Sequence, residues 1–153
     1  MIKVKRIDHV AIAVADRDAS ARDLSALFGL VPGVRETVPS QATDVAFLHD
    51  ASPTADGDAA LEVCAPVGEG NPALVRFLSK RGPGLHHVCF EVEDLPAALA
   101  ALKAAGVRLI DETPRPGARG HEVAFLHPSA TGGVLFELCA PTKTHAATPG
   151  APA

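Results

Sequence analysis

The chain contains no Trp, no Tyr and a single Met among its 153 residues. Six Phe are the whole aromatic supply, so Leu, Val and Ala must fill most of any interior. No run approaches the roughly 20 apolar residues that cross a bilayer, so no membrane partner is expected. The start, Met1-Ile2-Lys3-Val4-Lys5-Arg6, has charges but no apolar run behind it, and Asp8 and His9 interrupt it at once. A signal peptide is not expected there. There is no excess of positive charge either. The net charge is -4, which speaks against a nucleic-acid partner and leaves any anionic ligand to local basic residues. Three Cys is an odd number, and no C-x-x-C spacing occurs. A disulfide framework is therefore not expected, and reduced thiols in a cytoplasmic protein are.

What the chain does have is itself, twice. His9-Val10 and His87-Val88 lie 78 positions apart, as do Asp16 and Asp94. The same offset relates Val45-Ala46-Phe47-Leu48-His49 to Val123-Ala124-Phe125-Leu126-His127. Glu62-Val63-Cys64-Ala65-Pro66 and Glu137-Leu138-Cys139-Ala140-Pro141 follow at an offset of 75. Loops absorb such a change cheaply, and Asp50 to Asp58 against the shorter Pro128 to Gly133 is where it falls.

Each copy reads as strand, helix, then three strands. In the first, Ile7–Val14 is a strand, Asp16 caps a helix carrying Ala21, Leu24, Leu27 and Phe28, and Gly29 stops it. Strands are expected near Val34–Val38, Thr43–His49 and Ala59–Cys64. In the second, strand Leu85–Val92 leads to N-cap Asp94, a helix with Leu95, Leu99 and Leu102 on one face, and a stop at Gly106. Strands are expected near Arg108–Ile110, Glu122–Leu126 and Val134–Cys139. Asn71-Pro72 opens a linking helix with Leu74, Phe77 and Leu78 on its apolar face. The expected organisation is one domain over residues 1–142. Module one covers 5–67, the linking helix 71–81 and module two 84–141, with a disordered tail over 143–153.

Strand side chains alternate faces, so equivalent residues in two copies face equivalent directions. If the two halves curve into one cup about a pseudo-twofold axis, His9, Glu62, His87 and Glu137 all enter it. A carboxylate on an apolar inner face is costly unless paired or metal-bound, and one divalent ion answers for both. A mixed nitrogen and oxygen donor set suits a catalytic, water-accessible metal better than closed structural zinc. The reading in which His9 and His87 are ordinary hydrogen-bonded core residues competes with this. Repeat matching preserves such residues too: His49 and His127 match, yet sit at strand ends and are read as structural. His86 points away from His87, His121 is placed in a loop, and His145 in the tail. Cys64, Cys89 and Cys139 share faces with the proposed ligands and are read as packing residues.

Several segments carry a family resemblance. They are Ile7-Asp8-His9-Val10-Ala11-Ile12-Ala13-Val14, the run from Phe77 through Lys80-Arg81-Gly82-Pro83-Gly84-Leu85-His86-His87-Val88, Gly117-Ala118-Arg119-Gly120 leading to His127-Pro128, and Thr131 to Leu138. Together they span about residues 5 to 140. The chain resembles the methylmalonyl-CoA epimerases of the vicinal-oxygen-chelate (glyoxalase/bleomycin-resistance/dioxygenase) superfamily. The resemblance implies an α+β fold: two tandem βαβββ modules form a single curved eight-stranded mixed sheet with helices outside. It implies metal ligands at His9, Glu62, His87 and Glu137, holding Co²⁺ first, or Mn²⁺, Ni²⁺ or Zn²⁺. It also implies an acyl-CoA substrate epimerised through a metal-stabilised enolate, and a homodimer.

Inversion at carbon needs a base on one face and an acid on the other. Some relatives supply a second Glu from the third strand of module one, where this chain has Val45, and Asp44 has the wrong parity. Glu62 and Glu137 are therefore expected as the two catalytic carboxylates. Lys80, Arg81, Arg115 and Arg119 are candidates for the CoA phosphates, with Thr113–Gly120 as a lid or an ordinary surface loop. A lactoylglutathione lyase would use the same ligand order, but the Lys80 to His87 run does not resemble that enzyme. A ring-cleaving dioxygenase needs no Glu62. A metal-free, ligand-sequestering resistance protein is the alternative from another functional class.

Overall fold

The structure, a computed structural model, describes residues 2–53 and 57–142. The tail expected from residue 143 onward, with His145, lies outside the described residues. Along the chain run β1 (Val4–Ala13), α1 (Arg17–Phe28), β2 (Val31–Val38), β3 (Thr43–His49) and β4 (Ala60–Pro66). Then come α2 (Pro72–Arg81), β5 (Gly84–Val92), α3 (Leu95–Ala104), β6 (Arg115–Pro116), β7 (His121–Leu126) and β8 (Leu135–Pro141). The strands form one sheet in the order β2-β3-β4-β1-β5-β8-β7-β6. β1 and β5 run antiparallel at its centre, each flanked by a parallel partner, β4 and β8 respectively. The order is symmetric about the central pair, as a duplicated unit requires.

Helix boundaries follow from local chemistry. Asp16 and Asp94 each accept a hydrogen bond from the amide three residues on, at 2.9 Å in both cases. Asn71 does the same for Leu74 at 3.0 Å, with Pro72 at the first helical position. Gly29 ends α1 in the left-handed region, at φ 69, which a side chain there would resist. Alternation along the strands sorts the core. Ala46, Leu48, Val63 and Ala65 face α1 through Ala21 and Leu24. Ala124, Leu126, Leu138 and Ala140 face α3 through Leu95, Ala98 and Leu99. The opposite face carries Val45, Phe47 and Cys64, to which α2 adds Leu74.

Two expectations change. Leu27 and Phe28 do not join the α1 packing face, since they remain 73% and 65% exposed in the last turn. The strand expected at Arg108–Ile110 is reduced to a single bridge between Leu109 and Leu126. The amides of Ile110 and Asp111 both turn to the one carbonyl of Phe125, and the Asp111 side chain takes the Phe125 amide at 2.8 Å. A carboxylate thus stands where a strand would offer a carbonyl, and the ladder stops. The sheet's last strand is instead Arg115–Pro116.

β1 is also tied to β5 by charge. Burial alone would raise the pKa of Glu91, but hydrogen bonds from Lys5 and Arg6 hold it below the ordinary 4.5. Its contribution to stability is present above that value and lost as pH falls through the lowered one. Glu91→Gln should therefore flatten the acid limb of a urea-denaturation series run between about pH 3 and 6. Asp16→Ala and Asp94→Ala should each cost about 1 kcal/mol in the same assay at neutral pH, because the two caps are equivalent.

Candidate functional site

Two rows of side chains cross the inner face of the sheet. In one, Ala11 of β1 lies between Glu62 of β4 and His87 of β5. In the other, Cys89 of β5 lies between His9 of β1 and Glu137 of β8. Each row is a Glu and a His separated by one small, fully buried residue. The small residue leaves room for its neighbours to lean over it. His9 Nε2 lies 3.2 Å from His87 Nε2 and 2.9 Å from Glu62 Oε2. His87 Nε2 lies 3.1 Å from Glu137 Oε2 and 3.5 Å from Glu62 Oε2. The four side chains expected to converge are brought together, all of them buried.

Their outer partners are also paired by the repeat. Asp8 Oδ2 accepts from His9 Nδ1 at 2.8 Å, and His86 Nδ1 lies 3.0 Å from His87 Nδ1. Phe47 and Phe125 meet His9 and His87 edge-on, at centroid distances of 5.5 and 5.2 Å. A partner on Nδ1 fixes the ring and turns Nε2 inward. Plain alternation along β1 would put Asp8 on the far face from His9. A register shift in the β1–β5 pairing between Ile7 and His9 overturns that, and Asp8 and His9 are buried in succession. The repeat held the missed signal, since Asp8 stands 78 positions before His86. His86 lies on the Nδ1 side of His87, with its own ring edge-on to Phe77 at 5.0 Å.

The electrostatics are those of a site short of positive charge. Burial opposes a proton on His9, yet hydrogen bonds to Asp8 and Glu62 raise its pKa to about 10. Burial would lift the Glu62 carboxyl, but His9 holds it down. Burial would likewise raise Asp8, while His9 and Arg119 keep it far below the usual carboxylate range. Burial and the neighbouring His87 push His86 down to about 4, so its ring is neutral.

A cation bound about 2.1 Å from each donor sets neighbouring donors about 3.0 Å apart at right angles, and about 3.4 Å apart at the tetrahedral angle. The observed 2.9 to 3.5 Å separations span that range. Two imidazoles and two carboxylates also suit a divalent transition metal. His9, His87 and Glu137 form one of the groups of donor atoms close enough to hold an ion, and Asp8, His9 and Cys89 form another. In the second, the thiol donates toward Glu137 Oε1 at 3.6 Å, and burial pushes its pKa well up.

Residues 8–125 match the Glyoxalase/Bleomycin resistance protein/Dioxygenase superfamily. The chain belongs to that superfamily. The ethylmalonyl-CoA/methylmalonyl-CoA epimerase of Cereibacter sphaeroides is 39% identical over 137 residues, covering 88% of this chain and 97% of that one. The crystal structure of methylmalonyl-CoA epimerase from Mycobacterium tuberculosis superposes with a TM-score of 0.84 at 36% identity, covering 95% and 93% of the two chains. A Streptomyces coelicolor methylmalonyl-CoA epimerase variant in complex with 2-nitronate-propionyl-CoA gives 0.84 at 34% identity, covering 92% and 97%. The curled sheet of eight strands with three helices is the fold of these superfamily members.

The basic residues expected around the site are dispersed. Lys80 and Arg81 are exposed in the last turn of α2, where Arg81 lies 5.7 Å from the Phe77 ring. Arg115 pairs with Asp111 at 3.2 Å and lies 5.3 Å from the Phe125 ring. Arg119 alone of the four lines the cavity over the donor cluster. Its guanidinium bonds Asp8 and sits 4.1 Å over the Phe47 ring, while its amide donates to Glu36 at 2.6 Å. These contacts hold a backbone with φ 56, an uncommon angle for a residue with a side chain. His49 packs against Gly33, where an added Cβ would lie 2.4 Å from its ring. His127 takes the Ser129 amide at 3.1 Å, as a structural residue does.

Asp8→Asn should destabilise the fold by about 1–3 kcal/mol in urea denaturation, because it leaves His9, Arg6 and Arg119 facing a group without charge. Arg119→Met should cost less, since Arg6 stays paired with Asp8 at 2.8 Å.

Proposed function

We propose that this chain is a metal-dependent epimerase of methylmalonyl-CoA. The carrying observation is the cluster of two imidazole nitrogens and two carboxylates, spaced for one ion at the base of a cavity. Similarity to epimerases whose names specify methylmalonyl-CoA supports the substrate class. The ion is Co²⁺ on this reading, with Mn²⁺, Ni²⁺ and Zn²⁺ as alternatives. When bound, it supplies Lewis-acid polarisation of the thioester and carboxylate oxygens, which makes the hydrogen on the carbon between them acidic.

The chain's own groups do the rest. His9, Glu62, His87 and Glu137 hold the ion. Asp8 and His86 fix the imidazoles so that Nε2 points inward. Glu137 carries the proton at one face of the carbon. Glu62 is either the second carrier expected from the sequence or a ligand only. Lys80 and Arg81 at the end of α2, with Arg115, are proposed contacts for the CoA phosphates, as point charge and planar forks respectively. The reading includes a homodimer, as the family resemblance implies, and a cytoplasmic location, as the odd cysteine count without C-x-x-C spacing suggests. Among the described residues, no helix is long and apolar enough to cross a membrane.

Proton NMR of methylmalonyl-CoA in D₂O tests the proposal. Metal-reconstituted protein should wash deuterium into the carbon between the two carbonyl groups, and chelated protein should not. Glu137→Gln should slow epimerisation by about 10² to 10⁴-fold. If Glu62→Gln keeps full epimerisation, Glu62 is a ligand and no more. Turnover of the glutathione hemithioacetal of methylglyoxal, with none of methylmalonyl-CoA, would make the chain a lactoylglutathione lyase instead.

A further inference from the structure

Inversion needs a proton carrier on each face of the reacting carbon. Val45, at the position where some relatives place a second Glu, is 2% exposed and lines the cavity with an isopropyl group. Asp44 turns away, to the Thr37 hydroxyl and to Arg17 at 3.8 Å. Glu62 and Glu137 lie 3.5 and 3.1 Å from the same atom, His87 Nε2, and both are donors to the proposed ion. Besides His9, Glu62 and Glu137, the ionisable side chains lining the cavity are Arg119, His121 and Cys139, whose thiol is packed in a buried cluster with Cys89 and Val123. An arginine does not give up its proton in a protein.

We propose, resting on the epimerase reading, that His121 is the second proton carrier, acting through Nε2 across the cavity from Glu137. His121 opens β7 and shares a strand face with Val123, which also lines the cavity, and with Phe125, which meets His87 edge-on. The loop expected there is strand, and that is what aims the ring. His121 Nδ1 lies 3.2 Å from the carbonyl oxygen of Arg119. A carbonyl only accepts, so Nδ1 carries the hydrogen and Nε2 keeps a lone pair.

The step balances without an oxidant or reductant. Starting from one epimer, Nε2 takes the proton from carbon, and the electron pair of that bond moves into the thioester carbonyl. The pair returns to carbon as Glu137 passes a solvent-derived proton to the opposite face, and Nε2 releases its proton to solvent. From the other epimer the roles exchange, and solvent resets both groups.

The test uses full-length, metal-loaded protein, each pure epimer in D₂O, and the variants His121→Gln, His121→Asn and Glu137→Gln. Metal content and thermal unfolding are measured alongside. His121→Gln should lose epimerisation by at least about 100-fold. It should still wash deuterium into one epimer with retention of configuration, while Glu137→Gln does so for the other. His121→Asn should match His121→Gln, and imidazole added to either should restore part of the lost rate. Epimerisation within threefold of the parent in a folded, metal-loaded His121 variant overturns the proposal. So does equal loss of exchange from both epimers, which is the signature of a supporting residue. A parent protein that exchanges neither epimer removes the epimerase reading itself, and this proposal with it.

Discussion

The register of the antiparallel seam between β1 and β5 governs everything in the cup. It sets Ala11 beside His87 and Cys89 beside His9. The parallel neighbours then bring Glu62 to Ala11 and Glu137 to Cys89. A slip of one residue in the seam would turn one histidine to the outer face and leave a buried carboxylate without its partner. The seam is held by main-chain pairing and by the contacts of Glu91 with Lys5 and Arg6. Ala11 and Cys89 matter because they are small. Both are fully buried, and a larger side chain at either would occupy the space over which the donors meet.

The fold was largely legible because the chain carries two copies of one pattern. Helix caps at Asp16, Asn71 and Asp94 announced themselves through residue type and position, and so did the paired strands. Convergence of His9, Glu62, His87 and Glu137 followed from parity plus duplication. What escaped the sequence shares one physical character: local departures from regular pairing. A register shift turned Asp8 inward. The Asp111 carboxylate replaced a carbonyl and ended the expected strand near Arg108. Strand rather than loop geometry at His121 put an imidazole on the inner face. Side-chain alternation has no term for any of these, because each depends on a contact made with another part of the chain.

Duplication gives geometry, and drift gives chemistry. Thr43 and His121 occupy equivalent positions, and each reaches back to the carbonyl two residues earlier, Thr43 to Gln41 at 2.9 Å and His121 to Arg119. Only the second half has an imidazole there, and the first has a hydroxyl. Asp8 and His86 likewise hold equivalent imidazoles, one through a carboxylate and one through a neutral ring. The two halves of the site are thus alike in shape and unlike in charge.

Arg119 brings a last consequence. Folding has already ordered its guanidinium, against the Phe47 ring and the Asp8 carboxylate, and has fixed its backbone through Glu36. An anion entering the cavity would therefore meet a stationary positive group, not a long side chain that must be immobilised on arrival. The entropy of freezing that side chain was lost when the protein folded, so it does not weaken association a second time.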